Sequence, residues 1–166
     1  MDWTVKAGKL SPQKLRGLIF ERLHQRRHDV LLRPGIGEDS AIIDFGEDVC
    51  VISTDPITGA TYRLGWLAVH ISCNDIAANG AEPVGVQVAL LLPEGTTDDF
   101  IGEIMADLDA ACAELGIEVL GGHTEVTSVV MEPLVVATAL GRAPKERYVT
   151  SSGSRPGDVI YVTKGV

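Results

Sequence analysis

Several acids and one glycine-rich run in this 166-residue chain are of types that could hold a cation or a phosphate. Asp75 lies in the stretch Leu64 to Pro83, LGWLAVHISCNDIAANGAEP. At helical spacing Leu64, Ala68, Ile71 and Ala78 share a stripe with Asp75 near its middle. Trp66, Val69, Cys73, Ile76 and Ala77 make the other sides apolar, so a largely buried helix with one formal charge is expected. A buried carboxylate is costly unless it is paired, hydrogen-bonded or bound to a metal, so Asp75 needs a partner. Glu38 and Asp39 close the glycine-punctuated loop Arg33 to Ser40. Paired carboxylates beside flexible backbone suit Mg²⁺ and, through it, a nucleotide phosphate, although Gly-Glu-Asp is also ordinary turn composition. Asp55 ends the β-branched run Asp48 to Asp55, either as a ligand group at a strand end or as the cap of the Asp-Pro-Ile-Thr-Gly turn. Gly121 and Gly122 allow close backbone approach to a ligand, and His123, Thr124 and Glu125 can coordinate metal or bind phosphate; a solvated loop is the plainer alternative.

The elements that position these groups follow from periodicity and punctuation. Ser11 and Pro12 open a helix expected to run to about His24, with Leu15, Leu18, Ile19 and Leu23 on its apolar side. Its other side carries Lys14, Arg16, Arg22, Arg26 and Arg27, either to hold phosphates or simply as a solvated face. Ala41 to Ile43 and Asp48 to Asp55 read as strands, the second ending before Pro56. After the Asp75 helix, Val84 to Leu92 reads as a strand, and Thr97 to Leu115 as a helix with Asp98 and Asp99 in its first turn and Gly116 as its stop. Ile117 to Leu120 is a short strand running into the Gly121–Glu125 loop. Strands from Val129 to Gly141 and from Val159 to Thr163 close the chain. A mixed, mostly antiparallel sheet covered by helices on one face, an α+β sandwich, accounts best for this order.

Composition bounds the partners. With 45% hydrophobic residues the chain can bury one sizeable core. Eight of its fourteen Lys and Arg lie between Lys6 and Arg33, whereas eighteen acids between Glu38 and Glu132 face the single cation Arg63. That acidic middle disfavours nucleic acid and anionic membrane as partners and suits divalent cations. Cys50, Cys73 and Cys112 are widely spaced in apolar runs, reading as buried reduced thiols, and there is no CxxC pair. No signal peptide and no membrane-length apolar run is evident, so a cytoplasmic protein is expected.

Five motifs in order carry a family resemblance. They are Gly35-Ile36-Gly37-Glu38-Asp39-Ser40-Ala41, Ser53-Thr54-Asp55, Asn74 to Pro83, Gly121-Gly122-His123-Thr124, and Ser152 to Thr163. The chain resembles the aminoimidazole ribonucleotide (AIR) synthase superfamily, which includes thiamine-monophosphate kinase, selenophosphate synthetase and a hydrogenase-maturation dehydratase. The resemblance covers the amino-terminal half of such enzymes, so residues 1–166 are expected to be a single ATP-binding domain, with 1–33 a helical lead-in and a carboxy-terminal domain lying outside this chain. It implies a homodimer formed through the sheet and a site for ATP and Mg²⁺. Asp39, Asp55 and Asp75 match the family's metal-binding aspartates, and Gly121, Gly122, His123, Thr124 and Glu125 fall near phosphate or substrate.

The implied chemistry is ATP-driven phosphorylation, or dehydration or cyclisation, of a small-molecule acceptor. Two positions depart from the pattern. The kinase and the dehydratase have aspartate at the position of His123, and the kinase has Asp-Asp where Glu38-Asp39 stands. Either His123 replaces a metal ligand or Glu125 supplies the carboxylate. The alternative function is a non-catalytic nucleotide-binding or dimerisation module.

Overall fold

The computed structural model describes residues 7–162. It contains one six-stranded mixed sheet with helices on one face, as expected for an α+β fold. Helix α1 spans Pro12–Leu18, with Ser11 accepting from the Lys14 N–H as N-cap, and a single 3₁₀ turn follows at Phe20–Arg22. The expected helix to His24 therefore stops a turn and a half early. It buries no residue, and a short helix without tertiary packing gains too little to propagate.

Strands β1 (Val30–Leu32), β2 (Ser40–Asp44) and β3 (Asp48–Ile57) form an antiparallel meander. Pro56 does not end β3. It pairs with Val136, while the pairing with β2 stops at Ser53, so this end of β3 has a free edge where a missing N–H is tolerated. Helix α2 spans Leu64–Ala78, β4 spans Glu82–Leu92, and α3 spans Asp98–Leu115. Thr97 caps α3 by accepting from the Phe100 N–H, and Gly116 ends it in the left-handed conformation. β5 spans Glu118–Val126 and β6 spans Leu134–Pro144.

The strand order is β1-β2-β3-β6-β4-β5. Each neighbouring pair is antiparallel except β4 and β5, which α3 joins as a crossover. The Gly121–Glu125 stretch, expected as a loop, lies inside β5. Val159–Val162, expected as the start of a final strand, is exposed and forms no strand among the described residues; Thr163 lies outside them.

The core lies between sheet and helices. Ile42, Val51, Val86, Leu92 and Val135 from the strands meet Val69, Ile76, Ile104 and Leu108 from the helices, all at most 2% exposed. Fully burying such side chains contributes about 1.5–3 kcal/mol each. The two helices touch at Gly65, where a Cβ would stand 2.4 Å from the Ile104 carbonyl oxygen, so only glycine permits this approach. On α2 the buried positions are Leu64, Gly65, Ala68, Val69, Ser72, Cys73 and Ile76. Ile71 and Ala78, placed by spacing in the core stripe, are exposed, and Asp75 is half-buried at the stripe's border. A helix apolar nearly all round offers no preferred phase, so its pattern alone misplaces the buried face by part of a turn. The three cysteines are free, and burial pushes the Cys73 thiol up to about 11.

Among the described residues no helix packs on the opposite sheet face. Ala41, Ile43, Cys50, Ile52, Val136 and Leu140 alternate with the buried core positions and remain partly accessible.

Candidate functional site

Strand alternation sets the first part of the site. Val51, Ser53, Asp55 and Ile57 share the side of β3 that faces the helices, and α2 crosses over it carrying Asp75. The fold thus brings two acids from distant sequence together. Ser53, only 2% exposed, places its hydroxyl 2.8 Å from Asp75 Oδ2, to which it donates, with the Asp39 carbonyl oxygen also within reach at 3.0 Å. The buried Ser40 hydroxyl reaches the Asp75 carbonyl oxygen at 3.5 Å. Asp39 is exposed and stands at the entry to β2, beside the turn in which the Glu38 N–H donates to the Gly35 carbonyl.

Asp55 is the uncompensated member. Its Oδ2 is buried and has no hydrogen-bond partner among the described residues. Burial first, and then the facing Asp75 and Asp39 carboxyls, push its pKa from 3.8 up to about 6. Among the described residues none of the three aspartates is ion-paired. The cluster therefore concentrates negative charge around an orphaned oxygen, which is a fit for a cation. Among the described residues no three His, Cys, Asp or Glu side chains already converge on one ion position.

A cleft of about 150 Å³ opens beside the cluster, lined by Gly37, Asp39, Asp75, Asn79, Thr150 and Ser151 among others. Its far wall is the segment after β6. Asn79 holds that segment by two bonds, donating from Nδ2 to the Val149 carbonyl at 2.8 Å and accepting from the Val149 N–H at 2.9 Å. Ser151 donates to Glu38 Oε1. Ser40, Ser53, Asn79, Thr150 and Ser151 were not singled out by sequence reasoning. Ser40, Ser53 and Asn79 fall inside the motifs read from the sequence, and Ser53 also sits two residues before Asp55 on the same strand face.

The Gly121–Glu125 run lies elsewhere. Asp55 pairs with Ala137, Ala137 with Val88, and Val88 with Gly122, so Asp55 and Gly122 occupy one row three strand spacings apart. At about 4.8 Å per strand that is roughly 14 Å. Gly122 and Thr124 are level with the helix-covered Val88 and Leu90, whereas His123 and Glu125 alternate to the other face, with His123 Nε2 3.3 Å from Glu125 Oε2. Gly122 serves the strand pair, since a Cβ there would stand 1.8 Å from the Val88 carbonyl oxygen. The fold therefore brings Asp55 and Asp75 together with Asp39 at the exposed rim, and leaves Gly121 to Glu125 in a separate position on the edge strand.

Residues 37–143 match the family model described as AIR synthase related protein, N-terminal domain. The chain is 32% identical over 146 residues to a thiamine-monophosphate kinase of Methanospirillum hungatei, covering 80% of this chain and 49% of that protein. It is 27% identical over 164 residues to a selenide, water dikinase of Rhizobium meliloti, covering 95% and 46%. The structure of AaThiL complexed with AMPPCP and TMP superimposes with a TM-score of 0.73 at 22% identity, over 92% of this chain and 48% of that one, which bears on the fold. The chain spans about half the length of the curated relatives it matches. With the sheet order, the helical layer and the family match in agreement, this chain belongs to the AIR synthase related family, through that family's N-terminal domain.

Proposed function

We propose that the chain is the Mg²⁺-dependent ATP-binding part of an enzyme that phosphorylates, or with ATP dehydrates or cyclises, a small-molecule acceptor. The observation that carries this reading is the buried, unpartnered Asp55 Oδ2 facing Asp75. Asp55 and Asp75 would hold the metal, with Asp39 at the exposed rim. When bound, Mg²⁺ supplies neutralisation of phosphate charge. The chain's own groups do the rest. Ser53 fixes the orientation of Asp75 by its hydroxyl, and the Asn79-anchored wall keeps Thr150 and Ser151 across the cleft from Asp39. Asp55 must be ionised for the metal to bind, so binding releases a proton below about pH 6 and little above it.

The names of the matched relatives, a thiamine-monophosphate kinase and a selenide, water dikinase, support phosphoryl transfer as the reaction class. Gly121 to Glu125 lie at a distance from the carboxylates that an extended nucleotide or a second substrate spans, and we assign them to the acceptor side. The accessible apolar sheet face supports a homodimer that packs sheet on sheet. Three free cysteines fit a cytoplasmic setting. Among the described residues no helix is long and apolar enough to cross a membrane.

Calorimetry of MgATP binding to the protein tests the reading. Saturable binding that needs Mg²⁺ and falls at least tenfold in Asp55→Asn and in Asp75→Asn is expected. Nucleotide binding indifferent to both substitutions overturns the assignment, and a nucleotide-bound dimer without turnover on any acceptor favours the non-catalytic module.

A further inference from the structure

We propose that the arginine-lined cavity between the 3₁₀ turn and β1 is a binding site for a small phosphate ester, separate from the carboxylate cluster. The cavity is about 450 Å³, within the range of small-ligand sites. Phe20 and Val30 contribute apolar wall, and Arg22, Arg26, Arg27 and Arg33 contribute charge, with no acid in the lining among the described residues.

The four arginines are not equivalent. Arg27 is already engaged, since its Nε and Nη2 donate to the two Asp29 carboxylate oxygens at 2.9 and 2.7 Å. Among the described residues Arg22, Arg26 and Arg33 pair with no carboxylate. Backbone carbonyls hold two of them in place. Arg26 Nη1 donates to the carbonyls of Leu23 and Gln25, and Arg33 Nη2 donates to that of Arg27. These bonds immobilise the guanidinium groups while leaving most of their five N–H donors unused.

Stapling of the loop accounts for those three bonds. It does not account for a cavity of this size, nor for Arg22, which has no such bond among the described residues and lines the same space. Fixed, unneutralised guanidinium forks match phosphate oxygens bidentately, and they avoid part of the ordering cost on binding. The apolar wall suits an aromatic or alkyl group on the ester. The net charge of −9 opposes a polyanion such as nucleic acid while leaving this local patch cationic. The site also has a defined relation to the carboxylates: Arg33 and Pro34 enter the Gly35–Glu38 turn that delivers Asp39 to the cluster, so one short loop divides an anion site from a cation site.

The test is a titration of the protein with phenyl phosphate, and separately with inorganic phosphate, in EDTA so that no metal bridges to the aspartates. Arginine Nε–H resonances and calorimetry report binding. Saturable binding of phenyl phosphate is expected, tighter than that of inorganic phosphate, with affinity lowered at least tenfold in Arg26→Gln/Arg33→Gln. Asp55→Asn should leave it unchanged, which separates this site from the MgATP reading. Arg26→Lys, keeping charge without the fork, should lose affinity severalfold. Non-saturating shifts in the unaltered protein overturn the proposal, as does equal affinity for the two probes or unchanged binding in a folded double variant. Tighter binding of a single-stranded oligonucleotide than of phenyl phosphate overturns the small-ligand assignment.

Discussion

Asp55 should destabilise the metal-free protein, and Asp55→Asn should relieve the cost. A carboxyl moved from 3.8 to about 6 corresponds to roughly 3 kcal/mol between its protonation states. Asp55 is only half-buried, and solvent screening brings the expected effect to about 1–2 kcal/mol. The native pKa is raised above the unfolded one, so the native state holds more protons between pH 4 and 6. Stability therefore falls as pH rises through that window and levels off above it. An asparagine there has no charge to desolvate, and its amide can donate to Asp75. Urea denaturation in EDTA from pH 4 to 8 should show the variant about 1–2 kcal/mol more stable at pH 7, with the difference vanishing near pH 4. For a chain of this length the gain equals a Tm rise of roughly 2–8 °C. Millimolar Mg²⁺ with a nucleotide should then reverse the ranking, because ligand linkage stabilises only the protein that binds. A variant less stable than the parent at pH 7, or a difference independent of pH, refutes the account.

Three further outcomes follow from named contacts. Ser53→Ala removes the hydrogen bond to Asp75 and should weaken Mg²⁺-nucleotide affinity severalfold while costing about 1 kcal/mol of stability, both readable by calorimetry and urea melts. Gly122→Ala drives a methyl into the Val88 carbonyl and should detach β5, seen as loss of amide protection for Glu118–Val126 with the β2–β3 pair retained. Leu108→Ala, at 1% exposure between α3 and the sheet, should cost about 2–5 kcal/mol in denaturant titration.

The elements most readable from sequence were those with strong local chemistry. α3 announced itself by Thr97, two first-turn aspartates, an apolar face and Gly116, and the structure carries the cap, the stop and a buried face of Ile104, Leu108, Ala111 and Cys112, while Met105 and Leu115 of the same apolar face stay exposed. β3 and β4 were readable as β-branched or apolar runs bounded by turn residues. The misses have physical causes. β1 is three residues long, too short for any period to register. Gly121 and Gly122 look like a loop because glycine has low strand propensity, yet both lie in β5, and at Gly122 the close approach of β4 leaves no room for a side chain. Val159 to Val162 has strand composition, but composition cannot supply a neighbouring strand. At the site, the need of Asp75 for a partner was legible, whereas its half-buried position and the role of Ser53 depend on how α2 crosses β3. The wall carrying Thr150 and Ser151 arises from a segment some seventy residues from Asn79, a contact no local pattern encodes.

The strand order has a consequence for how the chain reaches its native form. Among the described residues β6 is the last strand in sequence, yet it sits in the middle of the sheet, between β3 and β4. Until it inserts, β1–β3 and β4–β5 are two separate ribbons, each presenting an unpaired inner edge. Closing the sheet therefore waits on contacts far apart in sequence, which is the slow kind of folding step. A chain that ends before Leu134, or stalls there during synthesis, exposes two long apolar edges at once, and such edges recruit other chains. The keystone position of β6 makes it the strand whose disruption should turn a folding problem into an aggregation problem.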